Sequence, residues 1–426
     1  MNALLDLEVA AGPVLVGLCV VAIALVILLL ARETSVRWAA TALIAVVAGA
    51  SLGLLALWFV VDVADAFGGP VNLATGIMVP AASAGIALAI VSLPRATRWR
   101  RVMAIIAIPV FALTAGLVIV GAYGIQRTIG DILYIDTTRL APSTQPATAL
   151  PDPLWQNWEA PADMPATGEW GVVDPPIGNE ASGFDARPAQ VYYPPAALVE
   201  SPPELPLLVF MMGQPGEPSA RVLASTLDDF AARHDGLAPI VLVVDQLGAP
   251  TADPLCLDTV RGNAETYLST DVVDWARSNL GVSSDRTRWI VGGYSNGGQC
   301  AAYLGAVYPE TFGNIIGIAP EEFAGESFRS EVLESVFGGD QAAYDAVKTP
   351  NILAAGDYPD SWAVFAVGAD DPGYIPDTKI LAAAARDAGM RTEVRVLPGT
   401  DHGVSVIERG LAFGLETLAP RLGLAR

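Results

Sequence analysis

Four long apolar stretches in the first 123 residues constrain this chain more than any other feature of its sequence. A transmembrane helix needs about 20 apolar residues to cross a hydrocarbon layer about 30 Å thick, and each stretch is long enough. Any one of them could be a buried core helix or a cleaved signal peptide. Four in succession favour membrane helices, and Asp6 and Glu8 precede the first one, where a signal peptide would have basic residues. We therefore predict four transmembrane helices, at 13–31, 38–61, 71–93 and 102–123.

The charges in the connectors between these stretches predict how the chain is oriented. The third connector, at 94–101, contains four arginines and no acidic residue, whereas the second contains Asp62 and Asp65. The first connector contains two arginines and Glu33. Because Lys and Arg favour the cytoplasmic side of a membrane, we expect the first and third connectors inside the cell. The N-terminus, the second connector and everything after residue 123 are then expected outside.

The chain is strongly acidic, and the charge is unevenly distributed. It contains 45 acidic and 24 basic residues, a net charge of −21, while residues 1–131 are close to neutral. The remainder of the chain therefore carries essentially all of the negative charge. Such a surface repels nucleic acid and anionic membrane surfaces, so neither is expected as a partner. An acidic surface of this kind also keeps a protein soluble, and this is the simpler interpretation.

The cysteines and histidines predict one disulfide and no metal site. Cys19 lies inside the first apolar stretch, whereas Cys256 and Cys300 lie in the part expected outside the cell, where disulfides persist. We predict that Cys256 and Cys300 are paired; two separate buried thiols are the alternative. The chain has only two histidines. Neither the residue types nor their spacing indicates a metal site, and no cofactor is expected.

A proline-rich segment separates the apolar part from the rest. We interpret 132–185 as an extended, partly stiff linker because 141–174 contains six prolines and few apolar runs. Trp155, Trp158 and Trp170 interrupt this segment. They could pack on the following domain or rest at the membrane interface. The predicted division is a four-helix transmembrane region at 1–131, the linker at 132–185 and a catalytic domain at 186–426.

Short apolar segments alternate with amphipathic ones in the predicted catalytic domain. This alternation indicates an α/β fold with a largely parallel sheet and helices on both faces, in which active residues gather at the carboxyl ends of the strands. The predicted strands are 206–212, 238–244, 288–292, 314–318, 362–367 and 392–397. The predicted helices are 220–233, 264–280, 298–308, 375–388 and 404–418.

A glycine-flanked serine follows the third of these strands. The run Gly293-Tyr294-Ser295-Asn296-Gly297 leaves the apolar strand and leads directly into a helix. This strand-turn-helix setting is the one required of a nucleophile elbow, where side chains at the flanking glycines would collide with neighbouring backbone. We predict that Ser295 is a nucleophile; a glycine-rich turn without catalysis is the alternative.

A serine nucleophile needs a base, and the base needs an acid. His402 follows the last predicted strand, whereas His234 ends a helix that leads to the amino end of the sheet. We therefore predict His402 as the base. The strand at 362–367 is followed by Asp370 and Asp371, of which Asp371 has the common spacing and Asp370 is the alternative. The order Ser295, Asp371, His402 is that of an α/β-hydrolase.

The oxyanion of a tetrahedral intermediate needs two donors. One is expected to be the backbone N–H of Asn296, directly after the nucleophile. The other is expected in the loop after the first predicted strand, at 212–216. Pro215 has no N–H, so we predict Gln214 as the second backbone donor.

From 205 to 418 the chain resembles the esterase D-like branch of the α/β-hydrolases, which includes the mycolyltransferases of mycobacteria and corynebacteria. The resemblance rests on four motifs, at 264–268, 292–298, 308–313 and 401–403. Two features depart from the family pattern. Many relatives have His-Gly where this chain has Met212-Gly213, and mycolyltransferases normally use a Glu where this chain has Asp371. A four-helix anchor is also unlike a secreted mycolyltransferase, and it is similar to some actinobacterial esterase-like proteins.

Together these observations and the resemblance imply a membrane-anchored, extracytoplasmic serine esterase. It would hydrolyse carboxylic esters through an acyl-enzyme, with an ester or an acylated envelope lipid as substrate. The first alternative is an acyltransferase that moves an acyl group to a sugar or lipid hydroxyl. The second is a catalytically silent membrane scaffold.

Overall fold

The computed structural model describes the whole chain except residues 1, 33–34, 64–70, 95, 134, 137 and 143–145. The charged connector residues Glu33, Asp65 and Arg95 lie outside the described residues. The chain divides into two compact units, Met1–Ile135 and Asp136–Arg426.

The first unit is helical. Its four long helices correspond to the four apolar stretches and are long and apolar enough to be candidate membrane spans. Ser35 and Asn72 cap two of them, since their side chains accept hydrogen bonds from the backbone N–H groups of Trp38 and Thr75. The helices of this unit are α1 (Asn2–Leu5), α2 (Gly12–Leu30), α3 (Val36–Trp58), continued by a π-helical turn at Phe59–Val63, α4 (Leu73–Val91), α5 (Arg98–Tyr123) and α6 (Ile129–Leu133).

Small residues allow α3 and α4 to pack closely. A Cβ atom added at Gly49 would lie 2.5 Å from the backbone oxygen of Ser83, and one added at Gly53 would lie 2.7 Å from the Ser83 hydroxyl. Both distances are too short for real carbon atoms, so these positions require glycine. Close backbone approach at small residues is typical of helix pairs in membranes.

The second unit contains a nine-stranded sheet in the order β1-β2-β3-β5-β4-β8-β9-β10-β11. β3 is antiparallel to both of its neighbours, and the other pairings are parallel. All six predicted strands form, with ends that differ by at most two residues from those predicted. The strands are β1 (Arg139–Leu140), β2 (Glu169–Val173), β3 (Gln190–Tyr193), β4 (Leu207–Met211), β5 (Ile240–Val244), β8 (Trp289–Tyr294), β9 (Asn314–Ile318), β10 (Trp362–Gly368) and β11 (Arg391–Leu397), with a separate hairpin of β6 (Asp258–Thr259) and β7 (Gly262–Asn263).

Helices cover both faces of this sheet. Successive residues of a strand point to opposite faces, so Ile315 and Ile318 of β9 mark the two sides. A Cβ at Gly305 would meet Ile315, whereas one at Gly410 would meet Ile318, so the helices that carry these glycines lie on opposite faces. The helices are α7 (Leu154–Asn157), α8 (Arg221–Arg233), α9 (Ala264–Thr266), continued by a π-helical turn at Tyr267–Asp271, α10 (Val272–Asn279), α11 (Asn296–Val307), α12 (Arg329–Ser335), α13 (Gln341–Ala346), α14 (Thr349–Ala355), α15 (Tyr374–Asp387) and α16 (Val404–Leu418).

Part of the predicted linker belongs to the sheet. The segment 132–185 was expected to be an extended tether, but it supplies β1 and β2, and Val172 and Val173 are buried. Two of its tryptophans make hydrogen bonds to later parts of the second unit: the Trp155 N–H donates to the Gly423 carbonyl, and the Trp158 indole donates to the Asp235 carbonyl. The prediction of a tether is wrong at β2 because it relied on the average composition of the segment. The prolines lie outside the short strand-forming run at Glu169–Val173, so the average does not reveal this strand.

The packing of α3 on α4 generates a prediction for stability. We expect Gly49→Ala to destabilise the protein by about 1–3 kcal/mol because the new methyl group meets backbone, which cannot turn aside. Gly116→Ala on α5 is the matched control, since nothing lies within 4 Å of a Cβ there. Thermal unfolding of the full chain in detergent measures both. Equal melting temperatures for the two variants would contradict the packing argument.

Candidate active site

Ser295 occupies a sharp turn between β8 and α11. Its φ of 56° and ψ of −121° are strained for a residue with a side chain, at a cost of about 1–3 kcal/mol. Two hydrogen bonds fix this conformation: the Ser295 N–H donates to the Ile318 carbonyl at 2.8 Å, and the Gln299 N–H donates to the Ser295 carbonyl at 3.0 Å. The turn is therefore held by the neighbouring strand on one side and by the first turn of the helix on the other.

The glycines around Ser295 are required by close backbone contacts. A Cβ at Gly293 would lie 2.1 Å from the carbonyl oxygen of Gly297. A Cβ at Gly297 would lie 2.2 Å from the carbonyl oxygen of Met211 on β4. Side chains at either position would push the helix away from the sheet, which explains the glycine spacing in the sequence.

The structure brings Ser295, His402 and Asp371 together. His402 Nε2 lies 3.0 Å from Ser295 Oγ, and His402 Nδ1 lies 2.6 Å from Asp371 Oδ2. Ser295 follows β8, Asp371 follows β10, and His402 lies between β11 and α16, so all three lie at the carboxyl ends of parallel strands. The imidazole can accept the serine proton at Nε2 while Nδ1–H donates to the carboxylate.

Burial distinguishes the two candidate acids. Asp371 is 5% exposed and contacts His402, whereas the side chain of Asp370 is exposed. The Asp370 N–H donates to the Thr400 carbonyl at 3.0 Å, which ties the end of β10 to the turn that carries His402. A Cβ at Gly368 would lie 2.3 Å from the same carbonyl, so glycine is needed for this approach.

The predicted oxyanion donors lie on two segments beside Ser295. Asn296 begins α11, and the loop that holds Gln214 passes so close that a Cβ at Gly213 would lie 3.2 Å from Ser295 Cβ. Within the described part of the chain, the backbone N–H groups of Asn296 and Gln214 have no protein acceptor. The Gln214 side chain donates to the Ala252 carbonyl at 2.8 Å, which orients this loop.

A partly buried ion pair, between Arg187 and Asp245, supports the same loop. Arg187 donates from Nη2 to Asp245 Oδ1 at 2.6 Å and from Nη1 to the Gly216 carbonyl at 2.7 Å. Asp245 is fully buried and also accepts the Leu247 N–H at 3.0 Å. Sequence reasoning missed Arg187, since its only signal is an acidic residue at the end of β5, 58 residues away. The pair connects the oxyanion loop to the central strands.

Cys256 and Cys300 form a disulfide, with Cα atoms 5.6 Å apart. The bond ties the loop after β5 to α11, the helix that begins behind the nucleophile. Gln246 strengthens the same region, because its amide donates to the Asn296 side chain at 3.1 Å and to the Met212 carbonyl at 2.6 Å. These contacts hold the Asn296 side chain, so its backbone N–H keeps a fixed direction.

The second histidine, His234, is not part of the group formed by Ser295, His402 and Asp371. His234 ends α8 and packs on Phe230, with ring centroids 4.2 Å apart. Its Nε2 lies 3.6 Å from a carboxylate oxygen of Glu416 on α16. It is half-buried and contacts the helical layer, as expected for a residue at the amino end of the sheet.

Acidic residues gather in the loop after β9 and at the start of α15. Burial, followed by the charges of Asp253, Glu326 and Asp377, raises the pKa of Glu321 to about 8. Burial, followed by the charges of Glu326 and Glu322, raises the pKa of Asp377 to about 7. The carboxylates of Glu322, Glu326 and Asp377 lie within 4.8 Å of one another and offer oxygen ligands for a cation. Arg329, 3.3 Å from Glu326, already supplies one positive charge to this group.

Comparison with known proteins finds one curated relative and several solved structures. No protein-family model matches the chain. The chain is 33% identical over 256 residues to an uncharacterized protein of Corynebacterium glutamicum, and the match covers 58% of this chain and 60% of that protein. The chain thus spans less than two thirds of the length of this relative.

Three solved structures illustrate the structural likeness. An S-formylglutathione hydrolase from Agrobacterium tumefaciens is 19% identical, with 61% of this chain and 98% of that chain covered and a TM-score of 0.48. A ferulic acid esterase is 16% identical, with 55% and 92% covered and a TM-score of 0.47. The enterobactin esterase from Shigella flexneri is 20% identical, with 64% and 63% covered and a TM-score of 0.41. Because these scores are below 0.5, the support for the chemistry is the geometry around Ser295.

The raised pKa of Glu321 generates a prediction for stability. The folded protein keeps a proton on Glu321 that the unfolded chain releases as the pH rises from 4.5 to about 8, so stability falls over this window. We expect Glu321→Gln to remove this loss. The variant should melt a few degrees above wild type near pH 8 and close to wild type near pH 4.

Thermal unfolding of the full chain in detergent at both pH values measures this effect. Glu310→Gln, at an exposed carboxylate, is the matched control and should change little at either pH. If Glu321→Gln and Glu310→Gln melt alike near pH 8, the burial argument for Glu321 is wrong.

Proposed function

We propose that this chain is a membrane-anchored serine esterase of the esterase D-like α/β-hydrolase type, with Ser295, His402 and Asp371 as its catalytic triad. The observation that carries the proposal is the continuous chain of contacts from Asp371 Oδ2 through His402 to Ser295 Oγ, at 2.6 and 3.0 Å. The strained backbone of Ser295 adds support, because strain of this kind is typical of functional sites.

Each residue has a defined part in the reaction. Ser295 Oγ attacks the ester carbonyl carbon while His402 Nε2 accepts the serine proton, which gives a tetrahedral intermediate. The backbone N–H groups of Asn296 and Gln214 donate hydrogen bonds to its oxyanion. The intermediate then collapses, the alcohol leaves with the proton from His402, and an acyl-serine remains. Water, deprotonated by His402, attacks the acyl-serine and gives a second tetrahedral intermediate. As this intermediate collapses, the bond to Ser295 Oγ breaks, His402 returns the proton to Ser295 Oγ, and the acid is released.

Asp371 assists without taking the proton. Its buried carboxylate accepts Nδ1–H, which fixes the tautomer and orientation of the imidazole and stabilises the positive charge that forms on it. A buried carboxylate is effective here because electrostatic interactions are stronger where water is excluded.

The apolar helices and their connectors support an anchored, extracytoplasmic enzyme. The four candidate spans and the arginine-rich third connector favour a second unit displayed outside the cell membrane. The Cys256–Cys300 disulfide agrees with an oxidising compartment. Tethering keeps the site near the lipid surface and raises the effective concentration of lipid esters there, so we propose acylated envelope lipids as the substrate class.

The first test of the proposed function is covalent labelling and hydrolysis. We expect a fluorophosphonate probe to label wild type and not Ser295→Ala. Asp371→Asn should lower kcat for p-nitrophenyl acetate about 10⁴-fold, because the imidazole loses the partner that fixes its tautomer. Asp370→Asn, at the exposed neighbouring acid, is the matched control and should remain within about twofold of wild type.

Two outcomes would contradict this proposal. Folded wild type that resists the probe favours the alternative of a catalytically silent scaffold. Acyl transfer shares every step as far as the acyl-serine, so products must be analysed by mass spectrometry with trehalose or glycerol present. Free acid supports hydrolysis, whereas acylated sugar or glycerol identifies a transferase of the mycolyltransferase-like kind.

The orientation is tested by thiol labelling in intact cells. Val260 in the second unit and Val36 in the first connector are similarly exposed, at 84% and 86%. We expect a membrane-impermeant maleimide to label Val260→Cys in intact cells and Val36→Cys only after permeabilisation. The opposite pattern would show that the second unit faces the cytoplasm. Wild type, which retains Cys19, gives the background signal.

A further inference from the structure

Two tyrosine rings pack against the His402 imidazole. The ring of Tyr374 stacks on it, with centroids 4.1 Å apart and planes inclined by 22°. The ring of Tyr294 lies 4.9 Å away at 38°, and its hydroxyl donates to the His402 carbonyl at 2.7 Å. Tyr294 therefore holds the backbone of His402, whereas Tyr374 contacts the ring that carries the proton.

Tyr374 lies at the start of the helix beside the triad. It is the first residue of α15, directly after the loop that carries Asp371, and it is only 8% exposed. Burial, followed by the nearby charge of Glu321, raises the pKa of Tyr374, so its hydroxyl stays neutral.

The stacked ring has a chemical consequence. The face of an aromatic ring attracts a cation, and His402 becomes a cation each time it accepts a proton in the reaction. The ring of Tyr374 therefore supports the base at the step in which it carries a positive charge.

We propose that Tyr374 is a positioning residue of the site: its ring, stacked on the imidazole, stabilises protonated His402. The inference rests on the proposed function, because it assigns a role within the same serine-based reaction. It adds to the triad a fourth side chain, from α15, that the sequence motifs do not contain.

The groups that face His402 are the same in every variant of the test. Asp371 faces Nδ1 from the loop after β10, and Ser295 faces Nε2 from the elbow. Tyr294 comes from β8, and Asp401 is the neighbouring residue along the chain. The charge of Glu321 also acts on Tyr374, and Glu321 is retained in both variants. A difference in pH dependence between Tyr374→Leu and Tyr374→Phe is therefore attributable to the ring.

The experiment compares Tyr374→Leu with Tyr374→Phe in the full-length protein in detergent. The readout is the rate of fluorophosphonate labelling of Ser295 as a function of pH, which needs no natural substrate. Loss of the ring makes protonated His402 less stable, so the acid limb of Tyr374→Leu should move to lower pH by about half a unit. Tyr374→Phe keeps the ring, so its acid limb should match that of wild type.

Tyr358→Leu and Tyr358→Phe are the matched controls. Tyr358 is similarly buried, at 7%, and its hydroxyl donates to the Ala306 carbonyl, so these variants disturb packing away from His402. They should lower thermal stability without moving the acid limb. This comparison separates an effect on His402 from a general loss of stability.

Three results would contradict a proposal, and they are distinguishable. If the acid limb of Tyr374→Leu coincides with that of wild type, the role of the ring is overturned. If the acid limb of Tyr374→Phe moves although the ring is kept, the role of the ring is overturned as well, and this arm is informative even where Tyr374→Leu does not fold. If wild type itself fails to label, the proposed function fails instead, independently of Tyr374.

Discussion

The approach of backbone to backbone around Ser295 is the constraint on which the rest of the site depends. Gly293 and Gly297 allow β8, β4 and the start of α11 to come within distances that no side chain could tolerate. The Ser295 N–H is then taken by the Ile318 carbonyl of the next strand. The strained backbone of Ser295 persists because the surrounding strands and helix fix it from several directions, so its conformation depends on the assembled sheet.

Contacts between residues far apart in the sequence also position His402, Asp371 and the loop that holds Gln214. The Thr400 carbonyl joins the turn before His402 to the loop that holds Asp371, and the Tyr294 hydroxyl joins it to the elbow. The Arg187–Asp245 pair fixes the oxyanion loop through the Gly216 carbonyl. Removing one partner would leave a buried charge without compensation, which is far more destabilising than loss of a surface pair. Geometry here is maintained by packed, hydrogen-bonded loops on a parallel sheet.

The sequence predicts the parts of this arrangement that are encoded locally. Strand and helix periodicity give the six central strands, and motif spacing together with strand ends gives Ser295, His402 and the two candidate acids. The choice between Asp370 and Asp371 depends on which side chain is buried, and neighbouring residues in a chain do not reveal this. The sequence does not predict β2, because the prolines around it dominate the composition of the segment. Arg187 and Tyr374 are recognised only through partners far along the chain, so no local pattern could identify them.

The acidic surroundings of the site act in the same direction as the triad. The charges that raise the pKa values of Glu321 and Asp377 also favour positive charge nearby. In the proposed reaction, a proton transferred from Ser295 to His402 creates such a charge, which Asp371 would stabilise directly through Nδ1. More distant carboxylates contribute less, because solvent and salt screen exposed charges beyond about 8–10 Å. The field therefore supports the base, while the direct contacts at 2.6 and 3.0 Å determine which proton moves and where it goes.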